Sequence, residues 1–155
     1  MPEASFPSDA FPALPAVTID LPEGWKPRAV PGTFLAAIDD RGSAFSPNVV
    51  LGITRVGAGH TLEAAAAAVA QHIESLPEVA PVDSARVDFG GAEWWVTEFA
   101  YSTDAAGTVA QVVAVSVVDH GDVVDVLRLT GTATPADYET SLPQIRGIVS
   151  SVRLG

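Results

Sequence analysis

The segment Asp119-His120-Gly121-Asp122, with Asp125 three residues on, gathers the side chains best able to do chemistry in this 155-residue chain. Several carboxylate oxygens together suit Mg2+ or Ca2+, and an imidazole beside carboxylates suits Zn2+. The same residues read equally well as a hairpin turn whose acids are hydrated. No EF-hand or HExxH spacing accompanies them. Nucleophilic catalysis needs a hydroxyl, a base and an orienter in one place. His60, His72 and His120 are widely separated, and no G-x-S-x-G elbow occurs. Asp88 and Glu93 face each other across the turn expected at Gly90-Gly91, so a glycosidase-like carboxylate pair can be imagined, although a hairpin end normally lies in water. Gly57-Ala58-Gly59 precedes a helix, where anions can bind, but lacks the G-K-[ST] ending of a phosphate loop. No cofactor motif is present, and no catalytic or metal-binding residue is assigned. A small hydrolase or metal-dependent enzyme stays as an alternative motivated by the acidic turn alone.

The aromatic residues form a second group. The strand AEWWVTEFAY (92–101) places Trp95, Phe99 and Tyr101 on one face, and Trp94 with Val96 on the other. The Gly90-Gly91 turn sets Arg86 opposite Trp95, Val87 opposite Trp94 and Asp88 opposite Glu93. Trp94 belongs to the core. Either the second helix covers the Trp95 face, or that face floors a partly open apolar groove or partner patch. Trp95, Phe99, Tyr101 and Arg86 are therefore the candidate binding residues, for an apolar small molecule or a protein partner.

Those groups need a scaffold. Val17, Ile19 and Leu21 alternate with polar residues as in a strand; further strands are expected at about 34–39 and 48–56, the three forming a meander. Thr61 can cap a helix carrying the alanine run 64–68, with Leu62, Ala66, Val69, Ile73 and Leu76 as its apolar stripe and Pro77 as its stop. A loop at about 102–107 leads to a second hairpin, whose turn is His120-Gly121. Its Val113, Val115 and Val117 share a face with Val124, Val126 and Arg128, and its other face is also apolar. Ser116 then opposes Asp125 among apolar neighbours. A sheet apolar on both faces must be covered on both. The last helix is expected at about 135–151, with Thr134 as N-cap, Pro135 at its first position and Asp137 in its first turn. Its stripe is Tyr138, Leu142, Ile145, Val149 and Val152, and Pro143 either kinks it or divides it in two.

Composition bounds the rest. Nineteen acidic residues oppose eight basic ones, of which Lys26 is the sole lysine, giving a net charge of −11. Nucleic-acid binding and docking on an anionic membrane need clustered cations and are not expected. Absence of cysteine excludes disulfides, thiolate catalysis and Cys-metal sites in this chain. Residues 1–16, with four prolines and no periodicity, read as an extended or disordered arm before one domain spanning 17–155. They carry neither a positive n-region nor an apolar h-region, so the sequence as it stands predicts the cytoplasm; removal of a leader would instead imply the cell envelope.

The order of elements also carries a resemblance. Val17 to Trp25 (VTIDLPEGW) resembles the opening of proteins with the Mog/PsbP-like fold. Phe45-Ser-Pro-Asn48-Val-Val, Gln111 in a long valine strand, and Leu129-Thr-Gly-Thr132 before the last helix resemble the LpqN-type lipoprotein family of actinobacteria. The resemblance covers about residues 15–152. It implies an α+β fold, a three-layer α/β/α sandwich around a mainly antiparallel sheet of about six to seven strands. It implies an accessory or binding protein in place of an enzyme, related to cell-wall lipid handling or to partner binding. The missing leader favours instead a cytosolic scaffold or chaperone-like domain.

Overall fold

Valine-rich strands make the centre of the molecule, because β-branched side chains fit a pleated surface buried on both faces. The computed structural model describes residues 1–41, 46–104, 107–136 and 138–155. Phe45, Ala105, Ala106 and Asp137, each part of a sequence expectation above, lie outside the described residues, as does Gly42. The elements are β1 (Val17–Thr18), β2 (Trp25–Pro27), β3 (Leu35–Asp39), β4 (Asn48–Gly57), α1 (Leu62–Glu74), β5 (Asp83–Phe89), β6 (Ala92–Thr103), β7 (Gly107–Asp119), β8 (Val123–Ala133), α2 (Tyr138–Ser150) and β9 (Arg153–Leu154). A seven-stranded sheet runs β2-β3-β4-β8-β7-β6-β5, antiparallel at every pairing.

One helix lies on each face. Leu62, Ala65, Val69 and Ile73 of α1 pack with Val113, Val115 and Phe99. Leu142, Ile145, Ile148 and Val149 of α2 pack with Val49, Leu51, Trp94, Val112, Ala114, Leu127 and Leu129. This is the expected three-layer α+β sandwich around a seven-stranded sheet. The Gly90-Gly91 register is as read from the sequence, with Arg86 opposite Trp95 and Asp88 opposite Glu93. The α1 cap is also as expected: Thr61 Oγ1 accepts from the Ala64 N–H at 3.1 Å.

Four expectations need correction. Val17-Thr18 is not part of the meander but pairs with β9, while Ile19 and Leu21 pack beneath α2; the meander's outer strand is β2. The chain there is too irregular, with Pro22 and a left-handed Gly24, to extend the strand. The β7–β8 register is displaced by two residues from the two-residue-turn expectation, because Asp119 pairs with Val124 and the loop takes up extra residues. An even displacement leaves every side chain on its expected face. Ser116 therefore opposes Leu127, and Asp125 opposes Val118. Finally, α2 starts at Tyr138, not at Pro135, and runs unbroken past Pro143. Tyr138, at its first turn, is 46% exposed and outside the core, whereas Ile148 joins it.

The approach of α2 to β8 depends on Gly131. A Cβ there would overlap Cγ2 of Ile145 and touch Val49. Gly131→Ala should destabilise by about 1–3 kcal/mol through overpacking. In the background Ile145→Ala the same substitution should cost clearly less, as urea unfolding of the four proteins of the cycle will show.

Candidate functional site

The alanine run gives α1 high helix propensity but little side-chain volume. Where Ala66, Ala67 and Ala70 face the outer strands β5 and β6, the space is not filled. A cleft of about 400 Å³ opens there, lined further by Ile73, Val82, Ser84, Trp95 and Thr97, with Glu63 and Glu74 at its rim. Trp95 is half-buried on its wall. The Trp95 Nε1–H donates to Ser84 Oγ at 3.0 Å, and Ser84 Oγ lies 2.9 Å from Thr97 Oγ1. The cleft is thus an apolar slot with a short line of hydroxyls at one side, the usual chemistry of a small-molecule site.

Arg86 lies over the Trp95 ring, its Cζ 5.9 Å from the centroid. It bridges Glu63 of α1 at 2.8 Å and Glu93 of β6 at 2.7 Å. Those partners raise its pKa, the Glu93 hydrogen bond most, so its charge is committed to tying α1 to β6 beside Trp95. Phe99 and Tyr101 share the face with Trp95 but not the cleft. Their rings stack at 5.9 Å, and Phe99 is only 4% exposed. Leu76 and Val79, just after α1, pack on this group. The connection from α1 is tied down there by Ala80 N–H to the Ala100 carbonyl and Ser102 N–H to the Pro77 carbonyl. The helix over the aromatic face is α1, not α2. The expectation of cover by the second helix is corrected: the long β6–β7 and β7–β8 hairpins put α2 on the opposite side.

The acidic turn resolves into something other than a cation site. Asp125 is fully buried, and Arg55 grips it with two bonds, Nε to Oδ1 at 2.7 Å and Nη2 to Oδ2 at 2.8 Å. His120 Nε2 approaches Oδ2 at 2.9 Å. The Arg55 guanidinium foremost, opposed by burial and helped by His120, holds the Asp125 carboxyl below the usual carboxylate range. Asp119 Oδ1 accepts from the Gly121 N–H at 2.7 Å, as in an ordinary turn. Among the described residues no group of three His, Asp or Glu is placed to hold a metal ion. Ser116 Oγ donates to the Glu93 carbonyl. Asp88 accepts from the Gly91 N–H, and Glu93 takes Arg86, so neither carboxylate is poised against the other.

Sequence reasoning missed Arg55, the alanine wall and the hydroxyl pair Ser84–Thr97. Arg55 carried a signal, being the cation in an otherwise apolar β4 directly opposite Asp125. The cleft carried none, since it arises from volume that alanines do not fill.

No protein-family model matches the chain, and no curated protein matches it in sequence. Solved structures do share its fold. LpqN of Mycobacterium tuberculosis, described as involved in cell envelope biogenesis, superposes with a TM-score of 0.74 at 16% identity, over 92% of this chain and 85% of that one. Cyanobacterial PsbP from Synechocystis gives 0.60 at 12% identity, over 92% of this chain and 95% of that one. The Ran-binding protein Mog1p of Saccharomyces cerevisiae gives 0.53 at 13% identity, over 89% of each. The fold is therefore Mog/PsbP-like.

Removing one partner of a buried ion pair leaves the other charge uncompensated. Arg55→Met should destabilise the protein at pH 7, because only His120 then remains beside the buried Asp125 carboxylate. Asp125 has a lowered folded pKa, so its contribution in the parent is present above the unfolded value and lost as pH falls through the folded one. In the variant, protonation relieves the buried charge. The stability difference should therefore shrink on acidification, which urea unfolding at pH 7 and at about pH 4 will measure.

Proposed function

We propose that this protein is a non-catalytic binding module that holds a neutral apolar ligand in the cleft between α1 and β5–β6. One observation carries the reading: an apolar slot of about 400 Å³ walled by Ala66, Ala67, Ala70 and Trp95, with two hydroxyls within it. The acids Glu63 and Glu74 at the rim, in a chain of net charge −11, disfavour an anion there. Trp95 offers the ligand a flat surface, held in orientation by its bond to Ser84 and by Arg86 above it. Among the described residues no serine hydroxyl is bonded to a histidine ring: Ser75 Oγ reaches only the His72 carbonyl and Ser116 Oγ the Glu93 carbonyl, so the pair His120–Asp125 has no hydroxyl beside it and serves Arg55. The likeness of the fold to LpqN fits an envelope-related role for such a module.

A second reading, a protein-interaction domain, is favoured by the β2–β3 connection. There Val30 and Phe34 are exposed around a shallow basin with Pro27, Pro31 and Arg28. Such a rim of apolar side chains with one cation suits a protein surface better than a small molecule. The likeness to Mog1p, a Ran-binding protein, fits this use.

Trp95 is the half-exposed tryptophan, whereas Trp25 and Trp94 are buried, so its emission reports on the cleft. Titration with 1-decanol should change the fluorescence saturably. Trp95→Phe should abolish the change. Ala70→Leu, at an exposed helical position where Leu is tolerated, should weaken binding at least tenfold and leave Tm unchanged. An Ala70→Leu protein that responds as the parent does, or a parent that does not respond, would overturn the ligand reading.

A further inference from the structure

The opposite flank of α1 holds a second opening of different character. Between α1 and the strands β4 and β8 lies a cleft of about 300 Å³, walled by Val56, Ala65, Ala68, Val69, Val115 and Val126. Gly52, Thr54, His60 and Arg128 complete its lining. Arg128 stands on β8 with Gly52 directly opposite on β4 and Val115 on β7. A Cβ on Gly52 would meet nothing within 4 Å, so the space beside the arginine is empty of protein.

Arg128 is unlike the other cations. Lys26, Arg41, Arg55, Arg86, Arg146 and Arg153 each have a carboxylate partner. Arg28 is exposed. Arg128 is half-buried, and among the described residues its side chain makes neither an ion pair nor a hydrogen bond. Burial alone depresses its pKa, with no acid acting in the other direction. Although the chain carries nineteen acidic residues, none among the described ones pairs with this half-buried arginine beside an apolar cleft. A half-buried guanidinium without a carboxylate partner is destabilising, and a planar fork of donors is matched best by a carboxylate.

We propose that this cleft is a binding site, separate from the Trp95 cleft, for a carboxylate-headed apolar compound whose head pairs with Arg128 and whose tail lies along Val56, Val69 and Val126. The proposal does not depend on the neutral-ligand reading of the other flank. Taking about 30 Å³ for each water-sized group, the volume admits roughly ten non-hydrogen atoms, the size of a medium-chain fatty acid.

The test is a titration of the whole chain with sodium octanoate, followed by amide chemical shifts, with 1-octanol as the neutral arm. Octanoate should shift residues 52–56 and 124–128 saturably, and octanol should not. Arg128→Met should reduce octanoate affinity at least tenfold and should raise Tm, because it removes a desolvated, unpaired charge. A merely structural arginine would give the opposite change in Tm. Gly52→Val, a β-branched residue entering open space in a strand, should block octanoate while the protein stays folded. Unchanged binding in both variants, equal binding of octanol at this site, or octanoate shifts confined to the surroundings of Trp95 would each overturn the proposal.

Discussion

The width of the sheet against the width of a helix governs this structure. Seven strands at about 4.8 Å spacing span roughly 29 Å, while one helix covers about 10 Å. The central strands β7 and β8 are apolar on both faces, so a helix must sit over each face there, and neither helix can reach the edges. Every other feature of the surface follows from how the remaining width is treated. On the α2 face, Ile19, Leu21, Trp25 and Val152 extend the cover beyond the helix. On the α1 face, among the described residues, the short connection after the helix does so over Phe99 and Tyr101. The two flanks of α1 are what is left over, and both are clefts.

Alanine sharpens that outcome. A helix with leucines at positions 66, 67 and 70 would fill the space toward β5 and β6; alanines favour the helix by propensity and leave the space open. High propensity and low volume thus act together, producing a rigid rod that does not finish packing. Arg86 marks the same economy. Its ties to Glu63 and Glu93 fasten the helix start to the sheet on the flank where the alanines leave space.

How much of this could be read from residues varies with the physical signal. Valines on both faces of one hairpin required two covering layers, and Gly90-Gly91 fixed a register, because a two-residue turn admits few alternatives. Thr61 announced its helix through its own hydroxyl. The His120-Gly121 turn misled by two residues, since an even slip preserves the apolar pattern and leaves nothing to detect it. Thr134-Pro135 resembled a helix start, yet the helix begins at Tyr138, one turn later. At the candidate site, Trp95 and Arg86 were legible as a cross-strand pair, but the division between Trp95 in the cleft and Phe99 beneath the helix was not. That division depends on where α1 ends and its connection folds back, a long-range matter with no local mark.

The charges then distinguish the two clefts that the geometry makes alike. One has Glu63 and Glu74 at its rim and neutral hydroxyls within; the other has a single unpaired arginine. Specificity is a difference between affinities, and repulsion contributes to it as well as attraction. An anion meets acids at the first cleft and a guanidinium at the second. A neutral apolar molecule finds no penalty at the first, but at the second it would seal Arg128 away from water without a partner. A single narrow helix on a wide sheet therefore yields two slots of about 400 and 300 Å³ that differ in the charges around them. Carboxylates placed on one flank and withheld from the other are enough to do it.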